Sequence, residues 1–246
     1  MKWLYNFLQN NSKKYFEDFS IISTDIHSHL IPSIDDGSKD LETSINIIKK
    51  LSELGFKKII TTPHVMSDMY RNDSKTIING LKLLKQEVLK QKIDITLSAA
   101  AEYYVDYEFV QNIGKQDFLT FGNNFLLIEH SFIEAPKDFF DIIFKLQTEG
   151  YNVVLAHPER YRFYQINDYE KLIDKGVYLQ LNLLSLTNYY SLNMSKKVKK
   201  MIDRKMFSFV GTDCHNQFQA ELYANCIRTN LFTDLVNKNF LLNHTL

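Results

Sequence analysis

The sequence predicts an α/β fold whose parallel sheet is closed, or nearly closed, into a barrel of seven strands. Two observations predict it. Apolar runs of strand length recur seven times, with segments of helical periodicity between them, and that alternation implies parallel pairing. Most of the runs are nearly continuous in apolar character, as strands covered by helices must be. No Pro/Gly/Ser-rich linker divides the series. An open doubly wound sheet is the alternative.

Met1–Phe16 begins like a secretory signal, but polar Gln9, Asn10, Asn11 and Ser12 interrupt it and no small-residue cleavage site follows. Residues 1–20 therefore read as a helical extension that covers one end of the domain or makes a weak membrane or partner contact. Residues 21–246 form the main domain. The first run is Ile21–Ile26. Leu41, Ile45, Ile48 and Leu51 then follow one helix face, with Asp40 placed to cap and Gly55 to stop it. Lys58–Thr62 is the second run. Ile77, Leu81, Leu84 and Val88 repeat the helical pattern before the third, Ile93–Ala99. Asn124–Ile128 is the fourth. Phe139, Ile142, Ile143 and Leu146 precede Gly150 and the fifth run, Asn152–Ala156. Val177–Leu183 and Phe207–Gly211 complete the set. The Lys-rich stretch Lys196–Lys200 reads as the solvated face of a helix.

Composition narrows the function. The chain has 246 residues, 45% of them apolar, and 29 basic against 29 acidic residues. The core is large, and the basic excess of a nucleic-acid binder is missing. Two cysteines suit a reducing compartment, hence the cytoplasm, and cannot make a disulfide framework. No apolar run approaches the roughly 18 residues of a membrane span.

Chemistry concentrates where the strands end. The first is followed by Asp25-Ile26-His27-Ser28-His29, whose period of two puts both imidazoles on one face. The next ends carry His64, Glu102, Glu129, then His157 with Arg160, and finally Asp213 with His215. Six of seven strands finish in a His, Asp or Glu, at the rim where parallel barrels hold their sites. Five of the seven histidines lie there. A lone histidine is usually a satisfied structural residue; five at equivalent positions beside suitable carboxylates point to a shared role. His130 points to the opposite face from Glu129, and His244 is expected to be exposed. Asp35-Asp36-Gly37 is either a turn or the source of one more carboxylate.

Counting Asp36, the nine candidate ligands are His27, His29, Asp36, His64, Glu102, Glu129, His157, Asp213 and His215. Imidazole and carboxylate without a cysteine cluster favour manganese, iron or zinc. Nine ligands exceed the need of one ion and imply two or three, an arrangement suited to phosphoryl transfer. Arg160 offers a forked donor to a phosphate; the competing reading is a surface ion pair with Glu159 or Asp168. A cysteine phosphatase is excluded: the position six past Cys214 is Ala220, and six past Cys226 is Phe232, neither an Arg.

With these residues the sequence resembles the polymerase-and-histidinol-phosphatase (PHP) superfamily, within it the manganese-dependent tyrosine phosphatases of bacterial capsule and exopolysaccharide systems. The matching motifs run in order: Asp25-Ile-His-Ser-His29, Ile34-Asp-Asp-Gly37, Thr62-Pro-His64, Ala101-Glu-Tyr103, Leu127-Ile-Glu129, His157-Pro-Glu-Arg-Tyr161 and Gly211-Thr-Asp-Cys-His215. The resemblance implies a distorted (β/α)7 barrel with its active site at the C-terminal strand ends. It implies that His27, His29, Glu102 and Asp213 hold one ion, Glu102, Glu129 and His157 a second, and Asp36, His64 and His215 a third. Arg160 would bind the phosphoryl group, with Asp213 and His215 also in the catalytic set. The implied ion is manganese. The implied partner is a phosphotyrosine-bearing kinase tail, which would bring the chain to the membrane indirectly; a homo-oligomer is compatible. Two rivals stand beside this: a histidinol-phosphate phosphatase, and a metal-binding kinase regulator without turnover. The chain departs from the family pattern at Ser33, where Gly is frequent, and after His215, where no second Arg occurs; Arg71 is the candidate substitute. Tyr70, Tyr103, Tyr104, Tyr161, Phe163 and Tyr164 flank the motifs as candidates for a groove that admits a phenol ring.

Overall fold

Every strand ladder is parallel in the computed structural model, which describes residues 16–246. The strands are β1 (Thr24–Asp25), β2 (Lys58–Thr61), β3 (His64–Val65), β4 (Thr96–Ala99), β5 (Glu102–Tyr104), β6 (Phe125–Glu129), β7 (Asn152–Ala156), β8 (Tyr178–Asn182) and β9 (Phe209–Gly211). One sheet has the order β1-β2-β4, the other β3-β5-β6-β7-β8-β9.

Nine strands fill seven positions, because β3 continues β2 and β5 continues β4. The first break falls at Thr62-Pro63, where proline has no N–H for a ladder. Hydrogen bonds from Ala100 N to Thr61 O (3.0 Å) and from Glu102 N to Pro63 O (3.1 Å) carry the register across. First and last positions also meet. Asp213 N donates to His27 O at 2.7 Å, and His29 N to Cys214 O at 2.9 Å. The circuit closes, so the barrel is right and the open sheet is not.

The α-helices among the described residues are α1 (Leu41–Glu53), α2 (Ser74–Lys90), α3 (Tyr107–Asn112), α4 (Phe139–Thr148), α5 (Ile166–Asp174), α6 (Leu192–Asp203), α7 (Gln217–Ile227) and α8 (Asn230–Lys238). Asp40 caps α1 by accepting from Thr43 N at 2.7 Å, and Gly55 ends it at φ 102°. The predicted apolar stripes are buried in α1, α2 and α4, except that Leu41 is half-buried. Period two splits β7. Val153 and Leu155 join the core beneath the helices, while Val154 and Ala156 join a smaller cluster with Ile60, Leu127 and Phe209. No helix among the described residues is long and apolar enough to cross a membrane.

Three expectations change. The first strand is two residues long, not six. A 3-10 turn over Phe19–Ile21, capped by Asp18, and a left-handed Ser23 (φ 66°) bring the chain to it. The third strand begins only at Thr96. The Lys196–Lys200 stretch lies on α6 but is not all solvated: Lys197 Nζ donates to Tyr161 O at 2.7 Å and Tyr169 Oη at 2.8 Å. Burial lowers that ammonium to about 8. The expected helix over residues 1–20 lies outside the described residues as far as residue 15. Its last residues pack inward, with Phe19 fully buried and stacked on Phe56 at 4.9 Å.

Candidate metal centre

All nine candidate ligands meet at the C-terminal rim. They form four overlapping groups, each with atoms mutually within 4.8 Å: His29, Asp36, His64 and His215; His27, His29 and Asp213; His27, Glu102 and His157; and His64, Glu102 and Glu129. His27 Nε2 lies 3.2 Å from His29 Nε2, 3.2 Å from Glu102 Oε2 and 3.4 Å from Asp213 Oδ1. His157 Nε2 lies 2.9 Å from Glu102 Oε1 and 3.6 Å from Glu129 Oε2. Asp36 Oδ1 stands 3.5 Å from both His64 Nε2 and His215 Nε2.

Glu102 is the common member of two groups. Its Oε2 is buried without a hydrogen bond, yet faces His64 Nδ1 at 3.1 Å and His29 Nε2 at 3.5 Å as well as His27. Buried polar atoms are almost always satisfied. A carboxylate oxygen surrounded by imidazole nitrogens and lacking a hydrogen bond fits a shared cation. The donor set fits manganese, iron or zinc.

The backbone is bent to present these groups. His157 (φ 34°) and Asp213 (φ 54°) both occupy the left-handed region that non-glycine residues avoid, a strain that surrounding structure must hold. The Asp35-Asp36-Gly37 loop is both a turn and a donor. Asp35 Oδ2 accepts from His29 Nδ1 at 2.8 Å and His64 N at 3.0 Å, while Oδ1 accepts from Gly37 N at 3.0 Å. Asp35 thus orients His29 and leaves Asp36 for the cluster. Gly37 is required by close approach, since a Cβ there would stand 2.2 Å from His29 O. Ser33 takes the left-handed conformation (φ 63°) that glycine adopts most readily, and its Oγ donates to Lys39 O at 2.5 Å.

Charge inside the cluster favours protonated imidazoles when no cation is bound. Burial opposes this for His27, but the Glu102 and Asp213 charges outweigh it and push the ring up to about 10. The same balance, with Glu102 and Glu129, lifts His64 to about 12. Burial again opposes the rise of His215, which Asp36 and Asp213 bring to about 9. Coordination needs neutral imidazole. Loading at neutral pH should therefore release protons from these rings, at least one per chain, and affinity should fall as pH falls. Calorimetric titration in two buffers of different ionisation enthalpy measures the release, and a value below one would refute this electrostatic picture.

Arg160 joins the cluster edge. Its Nη1 donates to Asp213 Oδ2 at 3.2 Å, and the guanidinium lies over Phe132 at 4.5 Å and Tyr190 at 5.3 Å. Neither predicted surface partner is used. Glu159 is buried and accepts from Ser185 Oγ at 2.6 Å and Asn182 N at 3.1 Å. Asp168 accepts from Gln165 N at 3.0 Å and pairs with Lys171 at 3.1 Å. Arg71 is not brought to the cluster. Its Nε donates to Ser67 O at 2.5 Å, and it lines a neighbouring cavity of about 400 Å³ with Asp106 and Phe109. His130 packs against Tyr161 and Phe139 away from the cluster, and His244 is exposed. Cys214 is fully buried, its thiol pushed up by burial, with Sγ donating to Asn216 O at 3.5 Å.

The cluster opens into a groove of about 680 Å³. Of the predicted aromatics, Tyr70 and Tyr104 line it; Tyr103 and Tyr161 are buried, and Phe163 and Tyr164 pack against the core. Phe132, Ile133, Tyr189 and Tyr190 line the groove instead. Tyr189 and Tyr190 sit in a loop with no acid or histidine to mark them, and Phe132 and Ile133 follow the Glu129 motif without being part of it. Sequence reasoning also missed Gln180 and Asn182, on the one strand without a terminal His, Asp or Glu. His27 Nδ1 donates to Gln180 Oε1 at 2.8 Å, and Asn182 Nδ2 donates to Asp213 Oδ2 at 2.6 Å. Their spacing of two, on a strand beside the motifs, was the available signal.

The family model described as "Capsular polysaccharide synthesis, CpsB/CapC" matches residues 23–229. The chain belongs to this CpsB/CapC family. Tyrosine-protein phosphatase YwqE of Bacillus subtilis (strain 168) is 28% identical over 195 residues, covering 78% of this chain and 77% of that protein. Tyrosine-protein phosphatase CpsB of Streptococcus agalactiae is 27% identical over 212 residues, covering 81% and 87%. Among solved structures, a chain from the work on YwqE from Bacillus subtilis and CpsB from Streptococcus pneumoniae, metal-dependent tyrosine phosphatases, superposes with TM-score 0.75 at 25% identity, over 89% of this chain and 96% of that one. The histidinol phosphate phosphatase of Lactococcus lactis shares the CpsB/CapC chain's fold alone, with TM-score 0.51 and 13% identity over 84% of this chain and 92% of that one.

Proposed function

We propose that this chain is a metal-dependent protein-tyrosine phosphatase acting on the phosphotyrosine-bearing tail of a bacterial kinase that regulates capsule or exopolysaccharide synthesis. The observation that carries the reading is the buried, unbonded Glu102 Oε2 at the junction of the histidine–carboxylate groups, with Arg160 at their edge. The names of the relatives support the substrate class. In this reading His27, His29, Glu102 and Asp213 hold one manganese ion, Glu102, Glu129 and His157 a second, and Asp36, His64 and His215 a third. When bound, the ions draw charge from the phosphoryl oxygens and acidify the attacking water.

The chain's own residues do the rest. Arg160 spans phosphoryl oxygens with its fork, its guanidinium held over the Phe132 and Tyr190 rings. Asp213 and His215 line the groove beside it. Half-exposed Phe132 and Tyr189 offer faces to the phenol ring. A tyrosine phenol has a pKa near roughly 10, so it needs less protonation on leaving than an alkyl alcohol, and an acid near His215 would assist it. The site works in the cytoplasm and reaches the membrane through its kinase.

The geometry favours this over histidinol phosphate. The only acids among the described groove-lining residues are Asp36, Glu129 and Asp213, all in the cluster, which leaves no carboxylate for a substrate amine. Side-by-side kinetics with manganese tests it. The kcat/KM for phosphotyrosine peptides should exceed that for histidinol phosphate by about 100-fold or more, the size of a difference set by lost polar contacts. Phosphoserine peptides should be poor because an alkoxide leaves less readily. A preference for histidinol phosphate would overturn the substrate assignment.

A further inference from the structure

The sixth barrel position, β8, carries neither acid nor histidine at its end, yet Gln180 and Asn182 are completely buried there beside the cluster. Three hydrogen bonds join them to two candidate ligands. His27 Nδ1 meets Gln180 Oε1 at 2.8 Å, Gln180 Nε2 meets Asn182 Oδ1 at 2.9 Å, and Asn182 Nδ2 meets Asp213 Oδ2 at 2.6 Å. The direction of this chain is not free. An ionised carboxylate only accepts, so Asn182 must present its NH2 to Asp213. Its carbonyl then faces Gln180, which must offer its own NH2. The Gln180 carbonyl is left for His27, whose Nδ1 must carry the proton. His27 Nε2, 3.4 Å from Asp213 Oδ1 at the other end of the same chain, is therefore the nitrogen that gives up its proton to a cation.

We propose that Gln180 and Asn182 are positioning residues: an amide relay that uses the charge of Asp213 to hold the proton on His27 Nδ1 and to aim the ring, so that Nε2 and Asp213 face one cation. The amides cannot flip singly, because one reversed amide sets donor against donor or acceptor against acceptor. Space for the relay depends on β9, where a Cβ on Gly211 would stand 2.9 Å from Gln180 Nε2 and 2.6 Å from His27 Cβ. Gln180 Oε1 also accepts from His157 N at 3.3 Å, tying the relay to the end of β7. Outer hydrogen bonds of this kind typically change metal affinity by about 10- to 100-fold.

The inference rests on reading the cluster as a metal centre, and the test separates the two. Manganese is titrated into stripped wild type, Gln180→Met and Asn182→Leu, both variants close in size to the residue replaced. The expected result is one binding step weakened by about 10- to 100-fold in each variant, with the remaining steps within about twofold of wild type and unfolding of the stripped protein unchanged. Identical titration curves overturn the relay. So does uniform weakening of every step with a lowered melting temperature, which is a packing defect. Wild type that takes up no manganese overturns both readings. A measurement on wild type alone stands if the variants do not fold. In the zinc-loaded chain, nitrogen-15 spectra should show a solvent-protected proton on His27 Nδ1, and a freely exchanging one would contradict the relay.

Discussion

Glu102→Gln should cut turnover of a phosphotyrosine peptide by about 10³-fold or more, the scale of losing a principal electrostatic element of an active site. The side chain is fully buried, and its two oxygens face four different histidines between them. The amide keeps the shape but removes the negative charge and offers two protons to imidazoles that should be accepting a cation. Two groups are damaged at once, because Glu102 belongs to both. Bound manganese should fall by more than one ion per chain. The apo fold should survive, since the amide matches the carboxylate in size and the imidazoles that Glu102 holds protonated in the metal-free chain can return to neutral. A variant with wild-type turnover would show that Glu102 is not shared.

Arg160→Lys should lower kcat/KM by about 100-fold with metal content and melting temperature unchanged. Lysine keeps the charge and loses the fork. It also loses the flat face that lies over Phe132 at 4.5 Å and Tyr190 at 5.3 Å. Arg160 touches one cluster residue, Asp213, at 3.2 Å, and Asp213 retains the Asn182 amide as a second partner on the same oxygen. Kinetics equal to wild type would mean that Arg160 only balances Asp213. Loss of metal alongside activity would mean that the ion pair, not the phosphate contact, is what the lysine breaks.

The legibility of this chain followed the physics of each residue type. Strand positions were readable because buried parallel strands are forced into continuous apolar runs, so Asn152–Ala156 was placed to the residue. The breaks in the second and third positions were not readable in the same way. A run such as Lys58–Thr62 continues in hydropathy up to Pro63 while the ladder changes sheet. The nine clustered residues were readable because imidazoles and carboxylates are costly at the ends of buried strands unless a bound cation balances them. What surrounds them was not. Gln180, Asn182 and Phe132 are common residue types whose role exists only through contacts across the barrel. Arg71 illustrates the converse. Its place in the loop after His64 suggested the groove, but the backbone antiparallel bridge Met66–Tyr70 turns the loop and sends Arg71 to the neighbouring cavity.

The central claim is that several metal ions, held by one shared carboxylate cluster, are needed for phosphotyrosine hydrolysis. The direct measurement strips the chain with a chelator, returns manganese in steps, and records bound metal by elemental analysis together with turnover of a phosphotyrosine peptide. The account predicts no turnover in the stripped chain and a rise that saturates at two or three ions per chain. Turnover without metal, or saturation at one ion or fewer, would contradict it.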